Sequence, residues 1–199
     1  MTRTGTTRTL AGMNAFIEQM PLRLASHVDE GIAFLDGDAT KAEAALLEIL
    51  ESAPPGSLVP IDFSGVLIAS AAARRLLKRP MLRLRAGELA DRYIVLGDLG
   101  DSEDNVSIML RDESLPMVER TSSGPLLLGD PDVAVDETWR FLSSKSSSTA
   151  SEVKEALALA SISSATNRLT SLAKLSLARR VDQRTVPGGG REFVYSAVR

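Results

Sequence analysis

SSATNRLTSLAKLSLARR, residues 163–180, decides how the C-terminal third of the chain folds. Ala165, Leu169, Leu172 and Leu175 recur at spacings of three and four, which makes one stripe of an α-helix. Ser163, Thr166, Asn167, Thr170 and Lys174 fall on the opposite face, with Ser164 and Arg168 at the border. Ser161 is placed to cap this helix, because a serine hydroxyl accepts from an unpaired N–H of the first turn. The spacing predicts a helix over 162–175. LARRVDQ then reads as a strand, TVPGGGR as a glycine-rich tip and EFVYSAV as a returning strand.

Upstream lies TASEVKEALAL, with Thr149 and Glu152 at capping-box spacing and Val153, Ala156 and Leu157 turned inward. SKSSST is a polar turn before it. VDETWRFLSSK is a further helix burying Val135, Trp139 and Leu142.

Three helices and a β-hairpin over 133–199 resemble a winged helix-turn-helix, closest to bacterial regulators of the MarR and ArsR kind. The matching residues are Thr149-Ala150, Ser161, Arg168-Leu169, Leu172, Leu177, Arg179-Arg180, Gly188, Gly189, Gly190 and the strand Glu192–Ala197. One departure is Ser176, where the family often has a glycine in the left-handed conformation. The resemblance implies that 162–175 is a recognition helix and the glycine tip a wing. Small polar side chains suit the roughly 12 Å-wide major groove, and Asn167 and Arg168 can reach adenine and guanine edges. Ser163, Thr166, Arg180, Arg184 and Arg191 are the candidates for phosphate contacts. Ser164, Thr170 and Lys174 complete the DNA-facing set, and Gly188 and Gly189 let backbone approach phosphate closely.

The N-terminal half alternates strands and helices, the pattern of a sheet covered by helices. Leu10, Met13, Phe16, Ile17 and Met20 predict a short helix ended by Pro21. GIAFLDGD, 31–38, reads as a strand ending in a turn at Gly37 and Asp38, followed by a helix with a capping box at Thr40 and Glu43. LVPIDFSGVLI, 58–68, is a buried strand ending near the DFSG turn. The helix 68–78 is expected to stop before Pro80. RYIVLGDL, 92–99, is another strand, SEDNVSIMLRDES a third helix, and 116–129 a hairpin around Ser123-Gly124.

VPIDFSGVLIASAAARRLL resembles the core of STAS domains, the sulfate-transporter and anti-sigma-antagonist family. Asp62-Phe63-Ser64-Gly65-Val66 matches the first half of the family motif. In the second half Ser70 stands where the motif has Asp, and Ala71 where it has the phosphorylated Ser. The phospho-switch is therefore not carried over at its usual position. Asp62, Ser64 and Ser70 are the candidate regulatory residues, with turn-capping the plainer reading of the first two.

Net charge is −3, unevenly spread: residues 1–131 hold 13 Lys+Arg against 19 Asp+Glu, and 132–199 hold 10 against 7. The stretch 161–191 carries 6 basic residues and 1 acidic one, which points the C-terminal unit towards a polyanion. With no cysteine and a single histidine, His27, thiol catalysis, disulfides and a histidine metal cluster are excluded. Asp98, Asp101, Glu103 and Asp104 lack the spacing of a calcium loop and read as an acidic helix start. Arg74, Arg75, Lys78 and Arg79 read as a solvated face. No apolar run reaches 18 residues, so no membrane span is expected.

The fold class expected is α+β in two domains. After a tail or short helix at 1–20 comes a STAS-like α/β domain at 21–130, then a winged helix-turn-helix at 131–199. The function expected is a cytoplasmic transcriptional regulator that binds double-stranded DNA as a candidate homodimer. The STAS-like domain would sense, dimerise or dock a protein partner. The alternative is an adaptor whose winged helix docks another protein. No enzyme activity, metal or cofactor is expected.

Overall fold

The computed structural model describes residues 16–28, 33–185 and 190–199. It is a mixed α/β fold. A six-stranded sheet is built from β1 (Ile17–Glu18), β2 (Leu22–Arg23), β4 (Ser57–Asp62), β6 (Arg92–Gly97), β7 (Met117–Thr121) and β8 (Gly124–Leu128). β1 and β2 both pair parallel with β4; β4, β6 and β7 are parallel neighbours, and β8 returns antiparallel to β7. The helices α1 (Asp36–Ser52), α2 (Ser70–Arg85) and α3 (Glu103–Asp112) connect these strands. A small parallel pair, β3 (Ala33–Phe34) with β5 (Leu67–Ile68), closes one end.

The central strands read as unbroken apolar runs because both of their faces are buried. Val59, Ile61, Ile94, Leu96 and Met117 point to one face, into a core with α1, α2 and α3. Leu58, Tyr93, Val95 and Val118 alternate with them and point to the other face. That second face is covered by the C-terminal unit. It comprises α4 (Val133–Ser143), β9 (Ser148–Thr149), α5 (Ala150–Ala156), α6 (Ile162–Lys174), β10 (Ala178–Thr185) and β11 (Arg191–Ala197). Val135, Trp139, Leu142, Leu169, Leu172 and Tyr195 join the four strand residues in one continuous cluster. The segment 129–132, where the sequence suggests a boundary, is thus crossed by a shared core.

Several local expectations need correction. Leu10 and Met13 of the expected helix lie outside the described residues; residues 16–20 are not helical, since the Ile17 N–H donates to Gly56 O and the Gln19 N–H to Leu58 O, completing a sheet edge. Tertiary pairing overrides a helical apolar pattern here. Gly37 and Asp38 lie inside α1, whose start is Asp36; Asp38 supplies half a capping box by accepting from the Leu35 N–H at 3.1 Å. Thr40 instead donates back to Asp36 O, and Glu43 is a buried partner of Arg79. α2 runs through Pro80 to Arg85. An interior proline costs about 3 kcal/mol. The following turn buries Met81 and Leu84, at about 1.5–3 kcal/mol each, which offsets that cost.

The hairpin 116–129 forms as read, with Thr121 opposite Gly124. So do the cap of α5 by Thr149 and Glu152 and the cap of α6 by Ser161. Ala156, expected inside, is exposed on the last turn of α5. Three helices end in Schellman turns whose left-handed residue is not glycine. They are Ser114 (φ 51°), Ala158 (φ 49°) and Ser176 (φ 60°). At the last of these, the Leu177 N–H donates to Leu172 O and the Ser176 N–H to Ala173 O, with Leu172 and Leu177 both buried.

Candidate nucleic-acid interface

Helix α6 presents the surface of interest because its apolar stripe is spent on the core. Ala165, Leu169 and Leu172 are fully buried, which turns Ser163, Thr166, Asn167 and Lys174 to solvent. Thr170 is half-buried. The Ser161 hydroxyl accepts from the Ser164 N–H at 3.1 Å and lies 3.0 Å from the Ser164 hydroxyl. Ser164 is therefore engaged in the cap. Thr166 donates to Ile162 O. Ile162, in the first turn, is 52% exposed.

Behind α6 rises the hairpin of β10 and β11, paired in register from Ala178–Ala197 to Thr185–Arg191 with a bulge between Arg180 and Asp182. β9 adds a third strand beside β11. Arg184 and Arg191 are exposed on the outer half of the hairpin. Gly188 and Gly189 lie outside the described residues. Arg180 donates from Nε to the Tyr195 hydroxyl at 3.1 Å, and its guanidinium stacks 4.5 Å from the Phe193 ring. Arg191, Thr166, Ile162, Phe193 and Tyr195 line a groove of about 520 Å³ between α6 and the hairpin.

Two of the proposed DNA-facing cations are already paired. Arg168 donates from Nη1 to Glu137 Oε2 of α4 at 3.2 Å, and Arg184 sits 3.6 Å from Glu152 Oε1 of α5. Arg179, next to Arg180 in the basic stretch, turns inward and is 7% exposed. Its guanidinium lies 4.4 Å from the Phe16 ring and donates to Gly56 O at 3.4 Å. Chain order alone concealed Glu137 and the inward turn of Arg179. Glu152 was visible as a capping residue, but its second partner was not. The one sequence signal for Arg179 is strand alternation: Arg179 and Arg180 must face opposite ways.

In the N-terminal half, Asp62 ends β4 and Ser70 opens α2. Asp62 Oδ1 accepts from the Ser64 N–H at 2.9 Å and from its hydroxyl at 2.6 Å, a closed turn. Ser70 donates its hydroxyl to Asn105 O. Arg74 and Lys78 each meet Glu113 at 2.7 Å, while Arg75 and Arg79 have looser partners in Asp36 and Glu43. Glu103 and Asp104 occupy the first turn of α3. Glu119, buried on β7, has its carboxyl pushed up by burial first, then by the nearby Glu103 carboxylate; a bond from the Leu99 backbone opposes this, and Asp98 adds to it. Among the described residues no cluster of three or more His, Cys, Asp or Glu is placed to hold a metal. Among them, too, no helix is long and apolar enough to cross a membrane.

Comparison with family models, curated proteins and solved structures found no match.

Proposed function

We propose that the chain is a DNA-binding transcriptional regulator. The C-terminal unit acts as a winged helix-turn-helix, and the N-terminal STAS-like half senses, dimerises or docks a partner. One observation carries the reading: a capped helix with a polar outward face, α6, stands beside a hairpin bearing exposed Arg184 and Arg191. Asn167 and Arg168 would meet base edges; Ser163, Thr166, Arg180, Arg184 and Arg191 would position the phosphates. No catalytic step belongs to this reading.

The test is fluorescence anisotropy with a duplex from the chain's own upstream region and a scrambled duplex across a salt series. Arg191→Ala is expected to weaken binding to both and to flatten the salt slope by about 0.9. Arg79→Ala, on the opposite side of the sheet, removes the same charge and is the control. Equal loss from both variants would sink the assignment of Arg191.

A protein-docking role for the C-terminal unit draws support from a different observation, the pairing of Arg168 and Arg184 with acids. Capture of a protein that survives nuclease treatment, with no duplex binding at low salt, would select that reading.

A further inference from the structure

Resting on the DNA-binding reading, we propose that Glu137 is a specificity-determining residue and that Glu152 is a sequence-independent brake on affinity. Each carboxylate holds, in the free protein, one arginine of the DNA-facing set: Glu137 the base-reading Arg168, and Glu152 the phosphate-positioning Arg184. The pairs join different elements: Arg168 of α6 to Glu137 of α4, and Arg184 of β10 to Glu152 of α5. Both are partly exposed, with arginine side chains 26% and 52% accessible, so a phosphate can compete for them. Glu152 is also fixed in place. Its other oxygen accepts from the Thr149 N–H at 2.8 Å, so swinging away would open the α5 cap.

The chemistry follows from exchange. A phosphate that takes Arg168 or Arg184 replaces one ion pair by another and gains little. A guanine edge offers Arg168 two acceptors in a fork, a geometry that a single carboxylate oxygen at 3.2 Å does not match. Glu137 therefore weakens phosphate-only binding of Arg168 more than its base-specific binding, whereas Glu152 weakens the Arg184 phosphate contact on every sequence alike.

The experiment compares wild type, Glu137→Gln, Glu152→Gln and the double variant on the upstream and scrambled duplexes. Salt runs from about 50 to 200 mM, the range over which counterion release is legible. Glutamine keeps a capping-box acceptor at 152. Glu48→Gln, on the exposed face of α1, makes the same charge change elsewhere. Each variant is expected to bind scrambled DNA about two- to fivefold tighter, the worth of an exposed pair. The salt slope should steepen by about 0.9 per freed arginine; the upstream-to-scrambled ratio should shrink with Glu137→Gln and stay unchanged with Glu152→Gln. Glu48→Gln should change none of these. If wild type binds DNA and the Gln variants bind scrambled duplex no tighter, the proposal is overturned and the DNA reading stands. If neither wild type nor the double variant binds any duplex at low salt, both fall. Should Glu152→Gln lose helix content by circular dichroism, Glu137→Gln alone decides the matter.

Discussion

Val95→Ala tests whether the sheet and the C-terminal unit are one cooperative body. Val95 is fully buried on β6, on the face that meets Trp139, Leu142 and Leu169. Alanine deletes two methyl groups, about 1.6 kcal/mol of transfer free energy at ~0.8 per carbon. Incomplete collapse of the site adds a cavity cost, for a total of about 2–3 kcal/mol. With a urea m-value of about 2–3 kcal/mol per molar, the midpoint should fall by about 1 M. The sole tryptophan, Trp139, packs into the shared core from the C-terminal side, so its fluorescence reports that unit and its contact with the sheet, while far-UV circular dichroism reports the whole chain. Both signals should fall together, and both should shift by the same amount. If the Trp139 transition stays at its wild-type midpoint while the ellipticity moves, the shared core does not couple the two halves.

Two further outcomes follow from backbone and charge. Ser176→Gly removes a left-handed strain of about 1–2 kcal/mol and adds roughly half that in unfolded-chain entropy. A net gain of about 0.5–1 kcal/mol should raise Tm by about 2 °C in calorimetry; no gain would mean the turn relaxes without strain. Glu119→Gln should stabilise in a pH-dependent way. The folded carboxyl is held above its unfolded value, so the wild type loses stability as pH rises from the ordinary glutamate range through the folded value. The Tm advantage of the variant should therefore be larger at pH 8 than at pH 4, and an advantage that grows on acidification would overturn this account.

Local order was legible at most places where neighbours in sequence settle it; the start of α1 is the exception, since Asp38 rather than Glu43 closes the first turn, by accepting from the Leu35 N–H. Thr149 and Glu152, Ser161, the Ala165–Leu169–Leu172 stripe and the turn before Gly124 all act within a few residues, and all appear as read. The other failures were decided at a distance. Phe16–Met20 joins a sheet edge because Gly56 and Leu58 offer hydrogen bonds there, overriding a helical pattern. Pro80 fails to end α2 because the core beyond it compensates. At the candidate interface, the face of α6 was readable from its period. The ion pairs of Arg168 and Arg184 were not, since Glu137 lies 31 positions from Arg168 and Glu152 belongs to a separate helix. A count of basic residues therefore overstates the charge this surface offers.

Mechanically, the hairpin is a cantilever. Its root, Ala178 and Arg179, is buried and clamped against Gly56 and Phe16, whereas Asp182, Gln183, Arg184 and Thr185 project into solvent. Arg179 is one of the points at which the root touches the six-stranded sheet, beside Phe16 and Gly56. A Cβ at Gly56 would stand 2.9 Å from Arg179 Nη1, so the guanidinium rests on bare backbone there. Root and sheet thus touch at Arg179, and through that contact a deflection of the beam reaches the strand edge.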